Sequence, residues 1–229
     1  MTRPGGVVAG LLAVLLLAPA ALSAQRTWQW EASLAGVGMR VRSQTGPTIQ
    51  KLSGAVFGGQ GQLIFVNRIT LDLGYWQGVV TPIAGQVAAD RDVVEGYAQL
   101  GARPLSWVSL RFGPHAWTYV SNAGTQRWFL MEGRARVQGE ILPEIQSYLE
   151  LWNVFSASVN VPQPFQTGMG GEGGLSLRIR NVPVIPERFP VRIRLGYGIE
   201  RLKMEGGNPV SLRSEIVDRL SFSIGIEQR

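Results

Sequence analysis

The sequence predicts an all-β fold, an antiparallel up-and-down transmembrane β-barrel of about ten strands that follows a cleaved signal peptide. Three observations support this prediction: an export signal at the N-terminus, alternation of apolar and polar residues along the rest of the chain, and the composition. The 229 residues include 29 glycines, 7 tryptophans and only 17% charged residues, whereas a soluble domain usually carries about 25%. Low charge with abundant glycine and aromatic residues suits a β-rich protein whose surface partly contacts lipid.

A secretory signal peptide is predicted at residues 1–24. Arg3 provides a positive start, residues 7–17 form an apolar run, and residues 21–24 form a small-residue cleavage site. The apolar run is shorter than the roughly 20 residues that a membrane-spanning helix requires. We therefore expect a mature barrel domain over residues 25–229, located in the outer membrane of a Gram-negative cell.

Charge and cysteine content narrow the expected partners. A formal net charge of +6 would suggest nucleic acid for a cytosolic protein, but export argues against that partner. The chain has no cysteine, so an exported domain must be stabilised by its own core, by oligomerisation or by surrounding lipid. The partners that we predict are outer-membrane lipids and the barrel-assembly machinery, with no nucleic acid and no soluble partner indicated.

Ten strands are predicted because apolar and polar residues alternate with a period of two. In residues 127–140, Phe129 and Val137 lie on an apolar face, whereas Glu132 and Arg134 lie on a charged face. The other strands are expected near residues 28–42, 52–66, 69–75, 93–102, 106–119, 145–151, 171–181, 191–200 and 220–227.

The connections are expected to alternate between short turns and longer loops, which is typical of an outer-membrane barrel. Short turns are predicted near residues 67–68, 103–104 and 142–143, and a medium, proline-rich turn at 182–190 departs from the rule. Longer loops are predicted near residues 43–48, 79–91, 120–126, 157–170 and 205–213. An even number of strands would place both termini at the short-turn, periplasmic end.

The polar faces of the strands are rich in arginine and mixed in sign, which favours a narrow lumen over a sheet surface that faces water. Four arginines on neighbouring strands should crowd near the periplasmic end, and like charges on neighbouring strands need counter-ions. The predicted lumen charge network consists of Glu132, Arg134, Arg136, Glu140, Glu150, Arg178, Arg180, Arg192, Arg194, Glu200 and Glu227. The sequence leaves open whether this network closes the lumen or leaves a thin channel that favours small anions.

Aromatic residues near the strand ends are interpreted as two belts at the membrane interfaces. The predicted interface aromatics are Trp28, Trp76, Trp107, Trp117, Tyr119, Trp128 and Trp152. Strict alternation points Trp117 and Trp152 inward. A β-bulge at Gly113-Pro114 would shift the alternation and turn Trp117 outward.

The mature chain resembles the broad superfamily of small bacterial outer-membrane β-barrels along its whole length. The resemblance rests on the architecture and on patterns such as Leu-Gly-Ala-Arg-Pro at residues 100–104 before Trp107, with no specific family identified. Such barrels commonly end in an aromatic residue that the assembly machinery reads. Residues 225–229 read Gly-Ile-Glu-Gln-Arg and depart from that pattern.

No complete catalytic set is found, so we predict a protein that is not an enzyme and that holds no cofactor and no metal. With no cysteine, His115 alone cannot form a zinc site. Lipid A deacylases carry a histidine two residues before a Ser-Asn-Ala stretch. Here Tyr119 takes the histidine's position before Ser121-Asn122-Ala123, so Ser121 lacks an activating imidazole.

The predicted function is that of an outer-membrane barrel protein, either structural or a narrow, porin-like pore with a charged lumen. Two alternatives remain open at this point. One is an outer-membrane barrel enzyme of the lipid A deacylase type. The other is a soluble periplasmic β-barrel or sandwich that binds an apolar ligand.

Overall fold

Ten antiparallel strands form one closed barrel. The computed structural model describes residues 28–65, 68–85, 88–122, 124–161, 163–180, 182–183, 185–186, 189–205 and 213–228, so the predicted signal peptide lies outside the described residues. The strands are β1 (Trp28–Thr45), β2 (Thr48–Phe65), β3 (Ile69–Pro82), β4 (Arg91–Leu105), β5 (Val108–Ser121), β6 (Gly124–Leu142), β7 (Ile145–Val159), β8 (Phe165–Ile179), β9 (Val191–Met204) and β10 (Arg213–Gln228). Each strand pairs with its neighbours in sequence, and β1 pairs with β10. The predicted up-and-down barrel of about ten strands is confirmed.

In the described residues, no helix is both long and apolar enough to cross a membrane.

The strands extend further than the alternation alone indicated. They are 14 to 19 residues long, whereas a tilted strand needs only about 9–11 residues to cross a bilayer. Two of the predicted long loops are tight turns as a result. Thr45 pairs with Thr48, because Gly46 adopts a positive φ of 54° that closes a two-residue turn. Ser121 pairs with Gly124 in the same way, so the connections at this end are not uniformly long.

The strands are strongly tilted. A line through paired residues that starts at Gln126 on β6 runs once around the barrel and returns to β6 at Gln138, twelve residues further along the strand. This shear fixes the tilt and the diameter of the barrel. It also stacks inward side chains from distant strands in common layers.

The outward face of the barrel is apolar over most of its height. Exposed large apolar side chains occur on every strand, and they include Leu34, Phe57, Leu73, Leu100, Phe112, Phe129, Leu151, Leu175, Leu195 and Phe222. Soluble monomers rarely expose a contiguous apolar patch of more than a few hundred Å². This surface therefore suits an apolar solvent better than water.

The interior has two halves of different chemistry. We call the end that carries Trp28 and Gln228 the terminus end and the opposite end the loop end. Inward side chains toward the loop end pack into an apolar cluster made of Val37, Met39, Val41, Leu52, Val56, Trp76, Val80, Val93, Trp117, Tyr119, Trp128, Leu130, Val154, Leu202, Met204 and Val217. Inward side chains toward the terminus end are mostly polar or small, and many of them are charged.

Candidate functional site

The lumen holds opposite charges in nearly equal number. By strand alternation, ten carboxylates and ten arginines of the described strands face inward, together with His115. The carboxylates belong to Glu31, Asp72, Glu95, Glu132, Glu140, Glu150, Glu172, Glu200, Glu215 and Glu227. The arginines are Arg91, Arg103, Arg111, Arg134, Arg136, Arg178, Arg192, Arg194, Arg213 and Arg219. The lumen as a whole is therefore close to neutral.

A histidine held between two glutamates occupies the centre of the barrel. His115 on β5 places Nδ1 2.7 Å from Glu132 Oε1 on β6 and Nε2 2.8 Å from Glu95 Oε1 on β4, and all three side chains are buried. An ionised carboxylate can only accept hydrogen bonds, so both ring nitrogens donate. With both glutamates ionised, the arrangement places an imidazolium between two carboxylates.

Arg219 connects this centre to the far side of the lumen. Its Nη1 lies 2.5 Å from Glu95 Oε1, and its Nη2 lies 3.5 Å from Glu200 Oε2. The other oxygen of Glu200 accepts a hydrogen bond of 3.0 Å from Trp152 Nε1. Strands β4, β7, β9 and β10 are thereby joined through side chains that cross the interior.

A second chain of ion pairs runs from the centre toward the terminus end. Arg134 donates to Glu132 at 2.7 Å and to Glu150 at 3.1 Å. Arg111 contacts the same Glu150 and lies 3.1 Å from Asp72. Each of these carboxylates is buried, and a buried charge is tolerated only when it is paired and hydrogen-bonded.

A third cluster lies nearest the terminus end. Glu227 on β10 accepts a hydrogen bond of 2.5 Å from Arg192 and forms an ion pair of 2.6 Å with Arg178. Glu31 on β1 forms an ion pair of 2.5 Å with Arg194 and lies 3.7 Å from Arg192. The arginines of β8 and β9 are thus countered by carboxylates from β10 and β1, across the point where the barrel closes.

A cavity of about 160 Å³ lies among these ion pairs. It extends from Trp76 at the apolar cluster to Ser106 and Trp107 in the β4–β5 turn at the terminus end. Arg136 lines it, with its guanidinium 3.9 Å from the centroid of the Tyr148 ring. The cavity therefore reaches the terminus end and ends inside the barrel at the apolar cluster.

The structure places nine of the eleven predicted network residues inside the lumen and two at its rim. Glu140 is exposed and accepts a 3.2 Å hydrogen bond from the Glu144 backbone N–H. Arg180 follows the last residue of β8, where alternation no longer applies, and pairs at 2.8 Å with Glu144 while its side chain is 66% exposed. The prediction that these two residues belong to the lumen charge network is wrong, because Glu140 points inward only at the rim and Arg180 lies beyond the end of β8. Inward residues that the prediction omitted include Glu31, Asp72, Glu95, Arg111, His115 and Arg219.

Five of the seven predicted interface aromatics lie inside the barrel, and for these the prediction is wrong. Trp76, Trp117, Tyr119, Trp128 and Trp152 are at most 9% exposed. The pairing of β5 with β6 runs through Gly113 and Pro114 without a bulge, so alternation continues unbroken and turns Trp117 and Tyr119 inward. The sequence alone could have indicated this direction. Each of these aromatics is an even number of residues from an inward charged residue on its own strand, and such residues share a face.

The remaining two aromatics lie at the terminus end. Trp107, in the β4–β5 turn, is 53% exposed, and Trp28 at the start of β1 is half-buried. These positions are compatible with an interfacial belt at that end only. Trp117 and Trp128 instead stack on each other at 5.5 Å within the apolar cluster.

The serine that was compared with the deacylases lies apart from the histidine's hydrogen bonds. The Ser121 hydroxyl donates to the Gly124 carbonyl at 3.3 Å at the loop end. His115 lies six residues earlier on the same strand, with both ring nitrogens bonded to glutamates. The expectation that the protein is not an enzyme stays a prediction.

One group of side chains has the composition of a metal site. Ligand atoms of His115, Glu132 and Glu200 lie within 4.8 Å of one another. Guanidinium groups of Arg134 and Arg219 already contact the two glutamates, and a divalent cation would have to share the space with them. The group therefore suits an ion-pair cluster better than a metal centre.

Comparisons with known proteins bear on the barrel shape alone. No family model matches the sequence, and no curated protein matches it. The chain is similar to Neisserial surface protein A, with a TM-score of 0.40, 13% identity and coverage of 87% of this chain and 96% of that one. It is also similar to the translocator domain of autotransporter NalP from Neisseria meningitidis, with a TM-score of 0.43, 12% identity and coverage of 96% and 95%. The toluene transporter TodX of Pseudomonas putida gives a TM-score of 0.33, 8% identity and coverage of 90% of both chains. Likenesses of this size say nothing about a shared activity or ligand.

Proposed function

We propose that the protein is an outer-membrane β-barrel that stays closed to solutes and has a structural rather than an enzymatic role. Its closed sheet satisfies the backbone hydrogen bonds between strands, which is the condition for a β-structure in lipid. Its outward face is an apolar band, with examples such as Phe57, Leu100 and Phe222 more than half exposed. A barrel with this exterior is stable in a bilayer and prone to association in water.

The apolar cluster carries the proposal that the barrel is closed. Leu52, Leu130, Leu202 and Met204 are each 0% exposed although they point into the lumen. A water-filled channel would leave some of their surface accessible. Hydrated ions and polar solutes have no route through side chains packed at this density.

Charge balance in the other half argues against an ion-selective pore. The inward arginines are matched by inward carboxylates, and most of them are joined at distances of 2.5–3.1 Å. Pores that select ions by charged side chains present rings of one sign of charge to the permeating ion. The cavity at the terminus end is in keeping with a closed barrel, because it ends at the apolar cluster instead of continuing to the loop end.

The proposal is tested by single-channel recording of the purified protein in planar lipid bilayers. We expect no stable conductance steps from the native protein. Combined truncation of Trp117, Trp128 and Leu130 to alanine removes the centre of the apolar cluster and should produce steps. The matched control is Trp107→Ala, which truncates an exposed tryptophan outside the cluster.

Stable conductance by the native protein would contradict the closed barrel. Migration on gels with and without heating, after extraction from outer membranes, tests the membrane location separately. Recovery of the protein in the soluble periplasmic fraction would contradict that location.

A further inference from the structure

The outer wall of the barrel carries a one-sided group of basic residues near the loop end. The group, which we call the basic patch, consists of Arg40 and Arg42 on β1, Lys51 on β2, and Arg201 and Lys203 on β9. All five point outward by strand alternation, and all but the partly buried Lys203 are exposed. Strand β10 lies between β1 and β9, so the patch covers four neighbouring strands.

The register of the strands brings these positive charges side by side. Arg42 lies directly opposite Lys51, and on its other side Arg42 is opposite Ile216, which is opposite Arg201. Like charges directly opposite on neighbouring strands are destabilising unless they are countered. The arrangement therefore favours a bound anion.

The protein itself supplies little countercharge, and on the paired strands it comes from Asp218, which lies directly opposite Arg40. Asp218 is the one acidic residue on the outward face of the described parts of β1, β2, β9 and β10. It accepts a 3.2 Å hydrogen bond from the Tyr197 hydroxyl. Across the described residues, no ion pair within 4.0 Å joins a carboxylate to the patch. The β9–β10 connection, residues 205–212, adds one acidic residue, Glu205, which is exposed.

The patch begins where the apolar band ends. Ile199, two residues before Arg201, and Leu220, two residues after Asp218, are exposed apolar side chains on the same outer wall. If the barrel sits in a bilayer as proposed above, on which this inference rests, these residues meet the acyl chains. The basic side chains then reach the headgroup level of the leaflet at the loop end.

The opposite wall does not repeat this pattern. On the outward faces of the described strands β3 to β8, Arg127 is the single basic residue, and Asp92 is the single acidic one. Arg127 lies opposite Thr118 on the neighbouring strand, without a second base beside it. The patch is therefore a local feature and not a belt around the barrel.

We propose that the basic patch binds the phosphate groups of anionic lipids in the leaflet at the loop end. Guanidinium groups pair with phosphate through two parallel hydrogen bonds, and a lysine adds a point charge. A phosphate held between Arg42 and Lys51 would relieve their repulsion. The lipid's acyl chains would lie along the adjoining apolar wall, which adds contact that a free phosphate ion lacks.

The test compares lipid binding by the purified protein and two variants. Each protein is titrated in neutral detergent micelles with short-chain phosphatidic acid or with phosphatidylcholine of the same chain length, and bound lipid is counted by native mass spectrometry. We expect a preference for phosphatidic acid that R42Q/K51Q weakens about fivefold for each removed charge. R127Q, which removes a single outward base from the opposite wall, should retain the native affinity.

A parallel measurement separates this inference from the proposed function. Insertion of the same proteins into phosphatidylcholine vesicles is followed by migration on gels with and without heating. If the native protein inserts and R42Q/K51Q binds phosphatidic acid as tightly as R127Q, the patch is not a lipid site and the membrane barrel stands. If the native protein does not insert, the proposed membrane location is overturned, and this inference is overturned with it.

Discussion

The loop-end half of the lumen is packed mainly with apolar side chains, whereas the terminus-end half holds ion pairs around a cavity, although the same strands build both. On β6, Leu130 and Glu132 are consecutive inward residues, and both are 0% exposed. Side-chain direction is therefore common to the two halves, and only the chemistry of the inward positions differs. The two halves nevertheless respond differently to the loss of a side chain.

In the apolar half, each buried group contributes by its removal from solvent and by packing, so a truncation has a graded cost. In the charged half, desolvation offsets much of the attraction between partners, and the network is stable only while every charge is matched. The largest effects are therefore expected where one partner of a buried cluster is removed.

Glu132→Ala should give the largest loss of stability, about 3–5 kcal/mol. The change removes the carboxylate that bonds both His115 and Arg134, and it leaves two cations without that partner in a buried site. Urea unfolding of the protein in lipid vesicles measures the loss. Glu144→Ala also removes one carboxylate from an ion pair, but its partner Arg180 is exposed, and we expect less than about 1 kcal/mol. Equal losses for the two variants would show that the central cluster does not behave as a buried network.

Leu130→Ala should destabilise the barrel by about 3 kcal/mol, because it opens a cavity in the apolar cluster. Leu151→Ala on the neighbouring strand is the matched control, since that side chain points outward and is 57% exposed. The same unfolding experiment compares them. If truncating Leu151 costs as much as truncating Leu130, the loop-end half is not packed as a core.

Gly74→Ala should have a smaller effect, about 1–3 kcal/mol, because it overpacks the boundary between the two halves. A Cβ at this position would lie 2.5 Å from Trp76 Cη2 and 2.6 Å from Tyr97 Cε1. Gly139→Ala is the control, since a Cβ there meets no atom within 4 Å. A neutral Gly74→Ala would mean that Trp76 and Tyr97 can move aside, and that the boundary layer is loosely packed.

Much of this organisation could be predicted from alternation, and the errors arose where another rule replaced it. Trp128 is four residues from Glu132 on one strand and therefore shares its inward face. The prediction of aromatic belts at the membrane interfaces was preferred to this alternation, and it placed Trp128 and Trp152 at the surface. In both cases the alternation was the better guide, because the side-chain period of a strand is two regardless of residue type.

Other features could not be predicted from any single strand. The turn at Gly46 replaced an expected loop, because the pairing of Thr45 with Thr48 extends both strands. Arg180 was expected inside the barrel, but β8 ends one residue earlier. Strand ends depend on cross-strand pairing, which the local pattern of residues does not specify.

The sequence by itself determined the period of the strands, their approximate number and the charged character of one face. Only the tertiary structure decided which inward residues meet. Arg219 and Glu95 are separated by 124 residues and lie 2.5 Å apart, because closure of β1 onto β10 and a shear of twelve residues bring their strands to facing positions at one height. The division of the lumen into an apolar and a charged half has the same origin, since it depends on how inward residues of all ten strands stack into layers, and that stacking is a property of the closed barrel.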